Sequence, residues 1–242
     1  MRSKITISIF IRTFFLFPIF MIFILVPIML LIIAASFLPN GKFIATKIYE
    51  FFGWIGLKFV GIKLIVKGAE KIDVNKSYVV VSNHPSTLDI FTHITALPVS
   101  IRFLTKTELF RIPVFGRDLK VLGLPRIDRK NASANFEKIN ESISKVIKNK
   151  NSIMIFPEGK RSNQKDLLPF KKGAAYISKD FQLPIIPVVT HNAHNLMRKG
   201  EVWLRSGEIT IEILNPINHS EELTVEEMTT KIYNLIDEKL KI

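Results

Sequence analysis

At 242 residues the chain has room for one α/β domain and an appended segment. It contains no cysteine, which excludes disulfides, a thiol nucleophile and cysteine-based metal sites. Its formal charge of +13, from 34 basic and 21 acidic side chains, suits an anionic partner such as a lipid headgroup, a phosphorylated substrate or an acidic carrier, and the basic residues form no stripe with interleaved aromatics of the kind a nucleic-acid binder carries.

From Thr13 to Leu38 the sequence is uncharged and almost wholly apolar. As a helix this stretch would span ~39 Å against a hydrocarbon core of ~30 Å. It is a poor match to a cleaved signal peptide, whose apolar part runs about 7–15 residues, although Ala34-Ala35-Ser36 keeps that alternative open. Pro18 and Pro27 each remove a helix hydrogen bond. A break at Pro27 would leave two halves too short to cross, dipping into one leaflet and returning. Arg2, Lys4 and Arg12 before the segment and Lys42, Lys47 and Lys58 after it do not fix an orientation. Phe43–Val60 places Ile44, Ile48, Phe51, Phe52, Ile55 and Phe59 at helical spacing, as a core-facing helix or one lying along a membrane surface.

The remainder alternates strands and helices. Strands are predicted at Ile62–Val66, Tyr78–Val81, Ile101–Thr105, Ser152–Phe156, Ile185–Thr190, Val202–Leu204 and Ile209–Leu214. Helices are predicted at Thr87–Leu97, Pro113–Val121, Ala132–Lys148, Lys172–Lys179 and Glu226–Leu240. The expected fold is α/β, a largely parallel or mixed sheet flanked by helices, with an N-terminal membrane-embedded helical segment. The expected division is an anchoring segment at 1–61 and a catalytic α/β domain at 62–242.

Among residues that carry chemistry, His84 and Asp89 stand out in His84-Pro-Ser-Thr-Leu-Asp89, just after the Tyr78–Val81 strand. A histidine can take a proton from a hydroxyl near neutral pH, and a carboxylate that fixes its tautomer supports the imidazolium that forms. Residues five apart do not share a helix face. Pro85 changes this, because proline suits the first helical position and pushes the preceding residue out of the helical region. His84 is then expected at the helix entrance with Asp89 about one turn in.

Phe156-Pro-Glu-Gly-Lys-Arg-Ser162 leaves a second strand through a Pro/Gly turn. Arg161 offers a planar fork for phosphate and Lys160 a mobile ammonium, while Glu158 could orient Arg161 or a substrate hydroxyl. Arg126 and Arg129 add two guanidinium groups, and Phe170-Lys-Lys-Gly173 leads into a helix whose free N–H groups favour an anion. A P-loop, a dinucleotide-binding glycine pattern and a Gly-x-Ser-x-Gly elbow are all missing. His191 and His194, though three apart, do not form a convincing metal-ligand spacing.

Taken in order, these segments resemble the glycerolipid acyltransferase family, specifically its lysophosphatidic acid acyltransferases. Asn83, His84 and Asp89 match an Asn-His-x4-Asp block. Lys106, Glu108, Leu109, Pro113, Gly116, Gly123 and Arg129 match a second block, which continues to Ile-Asp-Arg. Phe156, Pro157, Glu158, Gly159, Arg161 and Ser162 match a Phe-Pro-Glu-Gly-Thr-Arg-Ser block, followed by Pro169, Phe170, Lys171 and Gly173. Pro184, Ile185, Pro187 and Val188 complete the fourth. Lys160 stands where the family usually has Thr, adding charge beside the expected phosphate site.

The resemblance implies that His84 is the general base and Asp89 its orienter. It implies that Lys106, Arg129, Glu158, Gly159, Lys160, Arg161 and Lys171 bind the acceptor. The implied reaction acylates lysophosphatidic acid from acyl-CoA or acyl-carrier protein, giving phosphatidic acid, with no metal and no cofactor beyond that co-substrate. It makes a monotopic helical hairpin as plausible as a true span. The expected place is the inner, cytoplasmic membrane with the catalytic domain on its cytoplasmic side. Two rivals are an acyltransferase for another lysophospholipid or lyso-aminolipid, and a non-catalytic membrane-bound module that binds anionic lipid and has no use for a paired His84 and Asp89.

Overall fold

The computed structural model describes residues 6–128, 136–162, 167–198, 200–218 and 223–241. The chain opens with an apolar helix, α1 (Ile7–Ala35), long and apolar enough to cross a membrane by length and composition. It does not break at Pro27. Two π-helical turns, Arg12–Leu16 and Met21–Leu25, precede Pro18 and Pro27. Such wider turns let the chain pass a position whose N–H is missing while staying helical. A short turn then returns the chain as α2 (Gly41–Phe59), which packs back on the second half of α1.

Next come β1 (Ile62–Lys67), β2 (Val79–Ser82), α3 (Asp89–Ala96), β3 (Ile101–Phe103), β4 (Thr105–Lys106), α4 (Phe115–Val121), β5 (Arg126–Ile127), α5 (Phe136–Lys148), β6 (Ser152–Ile155), α6 (Gly173–Phe181), β7 (Ile185–His191), α7 (Ala193–Leu196), β8 (Gly207–Ile213) and α8 (Val225–Lys241). Six strands form one mixed sheet in the order β1-β8-β7-β2-β6-β3, and β4 pairs with β5 separately. The sheet is parallel from β7 to β3 and between β1 and β8, with one antiparallel seam between β8 and β7. The central strands are apolar and buried on both sides, as expected of parallel strands covered by helices.

Several predicted elements change, and the predicted helix start at Ala132 lies outside the described residues. The Ile101–Thr105 strand splits at Leu104, and Thr105 pairs across to Arg126 instead of joining the main sheet. Val202–Leu204 is not a strand. Its Leu204 N–H donates to Thr13 Oγ1 of α1 at 3.2 Å, and Trp203 meets Phe14 edge to face, so this run caps the apolar helix. The helix predicted from Pro113 starts at Phe115, after a tight turn at Val114.

Residues 1–61 and 62–242, divided in the sequence reading, share a hydrophobic core. Ile28, Ile32, Ala45 and Leu57 pack in one cluster with Val80, Met154 and Ile211 of the sheet. Buried Arg102 ties the layers together. It donates to Thr46 Oγ1 on α2 at 2.7 Å and to the Leu122 carbonyl after α4 at 2.7 Å.

Candidate active site

β2 and β6 lie side by side and parallel, with Val81 opposite Ile155. The segments that follow them therefore leave the sheet together at its carboxyl edge, where open α/β sheets bind ligands. Asn83 fastens the first exit. Its side-chain amide donates to the Thr190 carbonyl at 3.0 Å, and its oxygen accepts the Thr190 N–H at 2.8 Å. β2 is thereby locked to the end of β7 one residue before His84.

His84 Nδ1 lies 2.7 Å from Asp89 Oδ2. The side chains converge, but not through a helix starting at Pro85. Residues 83–88 form a non-helical loop, and α3 begins at Asp89. Asp89 itself closes that loop, because the same oxygen accepts the Ser86 N–H at 2.9 Å. Ser86 Oγ in turn donates to the Met197 carbonyl at 2.8 Å and accepts the Leu88 N–H at 3.2 Å. Side chain-to-backbone bonds of this kind compete with helix formation, which is why the helix starts late. Asp89 is fully buried, while the His84 side chain keeps 18% of its surface exposed. With Nδ1 committed to the carboxylate, Nε2 is the nitrogen left for a substrate proton.

The second exit grips the first. Glu158 is buried, and its Oε1 accepts the His84 N–H at 2.7 Å while its Oε2 accepts the Leu168 N–H at 3.2 Å. The Ser162 N–H donates to the His84 carbonyl at 3.1 Å. Both backbone groups of His84 are thus held by the Phe156–Ser162 segment. Glu158, read from the sequence as a contact for Arg161 or substrate, spends its carboxyl group on backbone. Burial pushes that carboxyl above its ordinary range, against the lowering effect of the two backbone donors.

Arg161 reaches back as well, its Nη1 donating to Thr87 Oγ1 inside the His84–Asp89 loop. Gly159 has φ +72 and lies under Lys171, where an added Cβ would come within 3.1 Å of the lysine side chain. Lys171 is exposed, and its N–H donates to the Pro157 carbonyl at 2.9 Å. Lys160 is exposed on the same turn, and Lys106 is exposed on β4 opposite Ile127. Arg129 falls outside the described residues. His84, Asp89, Glu158, Gly159, Arg161 and Lys171 are therefore drawn together, while Lys106 stands on the small ladder.

Two side chains that touch the His84–Asp89 pair lie outside the candidate set read from the sequence. Phe156 stacks on the His84 ring at 3.9 Å with planes 10° apart, and Phe103 stacks behind it at 5.9 Å. The imidazole is thus fixed by a carboxylate at its edge and an aromatic face. His93, fully buried, donates from Nδ1 to the Asp89 carbonyl at 2.7 Å and meets Phe156 edge to face, and burial pushes its pKa down. Phe156 was visible as a motif residue, but nothing local says that it faces His84. Among the described residues no cluster of His, Asp or Glu is placed to hold a metal ion.

An imidazole held by a carboxylate at one edge and a ring on one face, with Arg161 bonded to Thr87 in the same loop, has a geometry that could serve proton removal from a hydroxyl. A family model described as Acyltransferase matches residues 63–191, more than half of the chain and both the His84–Asp89 and Phe156–Ser162 segments, and the chain belongs to this acyltransferase family. The 1-acyl-sn-glycerol-3-phosphate acyltransferase of Cocos nucifera is 36% identical over 158 residues, covering 65% of this chain and 51% of that protein. The Saccharomyces cerevisiae protein of the same name is 32% identical over 187 residues, covering 75% and 61%. This chain spans between half and two thirds of the length of these relatives. The crystal structure of the 1-acyl-sn-glycerophosphate (LPA) acyltransferase PlsC from Thermotoga maritima superposes with a TM-score of 0.78 at 23% identity, covering 96% of this chain and 93% of that one, a likeness of fold.

Proposed function

We propose that the protein transfers a fatty acyl group from an acyl thioester to the free hydroxyl of lysophosphatidic acid at a membrane surface, yielding phosphatidic acid for phospholipid synthesis. The observation that carries this reading is the 2.7 Å contact between His84 Nδ1 and buried Asp89 Oδ2. It sits in a chain whose family and named relatives are acyltransferases. His84 Nε2 takes the hydroxyl proton as the oxygen attacks the thioester carbonyl. The tetrahedral intermediate collapses with loss of the thiolate, which receives the proton from the imidazolium. Phosphatidic acid and a free thiol leave. Asp89 holds the imidazole and supports its transient charge.

Arg161, Lys171, Lys160, Lys106 and Arg129 are assigned to the acceptor phosphate, with Arg161 as the fixed contact because Thr87 already orients it. Gly159 keeps the turn open, and Glu158 braces the base. The donor is acyl-CoA or acyl-carrier protein, and no other cofactor is needed. The domain is assigned to the cytoplasmic side of the inner membrane, where such donors are found. Acyl chains enter from the apolar α1–α2 side.

The test is acylation of lysophosphatidic acid by the protein in vesicles, with each donor supplied in turn. His84→Ala is expected to lower turnover by about 10³-fold or more. Full activity in that variant overturns the assignment of the base. Activity on another lysolipid with none on lysophosphatidic acid overturns the acceptor.

A further inference from the structure

The loop between the small ladder and α4 has a feature the reaction does not use. Val114 has φ 63° and ψ −66°, and the Phe115 N–H donates to the Pro113 carbonyl at 2.7 Å. This is a γ-turn of the rare, strained hand, here on a β-branched residue, which avoids positive φ more than most. Strain of this kind persists only where its surroundings impose it. They do so here. The Gly116 N–H donates to the Ile112 carbonyl at 2.7 Å, and Gly116 lies so close to Phe110 that an added Cβ would stand 2.3 Å from the Phe110 carbonyl oxygen. The turn lies between Phe110 and Phe115, which pack against the core. It leaves Leu109, Ile112 and Val114 exposed together.

That apolar tip is continuous with the apolar helices. The second half of α1 packs on α4, directly after the turn. The Arg117 guanidinium of α4 sits 5.9 Å over the Phe37 ring in the α1–α2 turn, where Phe37 and Leu38 are also exposed. Exposed Arg111 and Arg117 flank the tip, with Glu108 as the exposed acid beside them. Apolar side chains at a tip with basic residues around it match the acyl boundary and anionic headgroups of a bilayer.

We propose that Leu109–Val114 is a second bilayer contact, seated in the headgroup layer of an anionic membrane beside α1, and that the strained γ-turn holds Ile112 and Val114 in the lipid. With α1 it makes two separated attachments, which fix the tilt of the domain as well as its tether. The proposal does not depend on the acceptor or on the chemistry at His84.

The absence of cysteine makes the test direct. Ile112→Cys carries an environment-sensitive fluorophore, and Asn234→Cys, exposed on α8 across the sheet, carries the same label as control. Both are reconstituted into phosphatidylcholine–phosphatidylglycerol vesicles whose acyl chains bear a nitroxide quencher. The label at 112 is expected to be quenched several-fold more than the label at 234. Equal quenching overturns the proposal. A label at Leu109→Cys gives the same reading if the first variant is not recovered. Arg111→Glu with Arg117→Glu is expected to reduce quenching at 112 in the anionic vesicles, and no reduction overturns the headgroup assignment. Because the readout is depth and not turnover, failure here leaves the acyltransferase reading standing, and loss of that reading leaves this one.

Discussion

On one face of the main sheet, Val80, Met154, Ile186 and Ile211 pack against α1, α2 and α3. On the other, Val79, Ile153, Ile185 and Val189 pack against α5, α6 and α8. These strand residues are aliphatic on both faces, although the first cluster also buries Tyr49, Tyr78, Phe103 and Phe110. The outer surfaces of the two helical layers differ sharply. α1 and α2 expose Phe14, Phe23, Phe43, Phe51 and Trp54. The opposite layer exposes ion pairs, Lys145 to Glu141 at 2.6 Å, Lys241 to Asp237 at 2.5 Å, and Lys172 with Glu226. The strand residues therefore do not tell an apolar-coated side from a charged one. The coat does, and the site opens at the carboxyl edge of the sheet between the two layers.

The largest expected effect belongs to that edge and to neither layer. Asp89→Asn keeps an acceptor for the Ser86 N–H but removes the charge that supports the imidazolium, so turnover should fall by about 10³-fold. The fall should be the same in detergent and in bilayer. A loss seen only in bilayer would mean that the site is part of the lipid-side layer after all.

A paired measurement sharpens the contrast of coats. Ile143 is fully buried on the α5 side, and Ile143→Ala should cost about 2–5 kcal/mol of stability. Trp54 is half exposed on α2, so Trp54→Ser should change stability in detergent by only about 0.5 kcal/mol while weakening retention in vesicles. Thermal unfolding and vesicle flotation read the two quantities. If Trp54→Ser destabilises the detergent-solubilised protein as much as Ile143→Ala does, the outer surface of α2 is core and the comparison breaks.

Asp118 on α4 extends the test to pH. It is 3% exposed, neither carboxyl oxygen has a hydrogen-bond partner among the described residues, and burial raises its pKa to about 7. The folded chain then keeps a proton that the unfolded chain releases near about pH 4. The contribution to stability is fully present below that value and is lost as pH rises through 7, at about 1.4 kcal/mol per pH unit. Asp118→Asn should flatten this decline relative to the parent protein in melts between pH 5 and 8. Equal slopes in the two proteins would show that the carboxyl is hydrated and that the lipid-side core is wetter than its partner.

Much of this was legible in the chain. Runs such as Tyr78–Val81 and Ser152–Phe156 announced buried parallel strands, and their order fixed which loops leave the same edge. The convergence of His84 and Asp89 was also readable, because Pro85 forbids the ordinary helical geometry between them. The route of that convergence was not. It depends on Ser86 finding the Met197 carbonyl, a partner 111 residues away. The same holds for Glu158, whose local context suggests a substrate contact and whose partners are the N–H groups of His84, 74 residues away, and of Leu168. Val202–Leu204 has a strand's composition but meets α1 before any strand edge. The γ-turn at Val114 carries no local signal at all, since valine is among the residues least suited to it.

The clamp on His84 has a consequence for how this protein is dissected. The N–H of His84 is held by a carboxylate 74 residues further on, and its carbonyl by Ser162. Removing Glu158 would let the imidazole drift without touching anything the substrate meets. A scan that recorded only turnover would count such scaffolding as substrate recognition. Saturation curves would tell them apart, since a loosened base slows the step at every acceptor concentration, whereas a lost phosphate contact is overcome by adding more lipid.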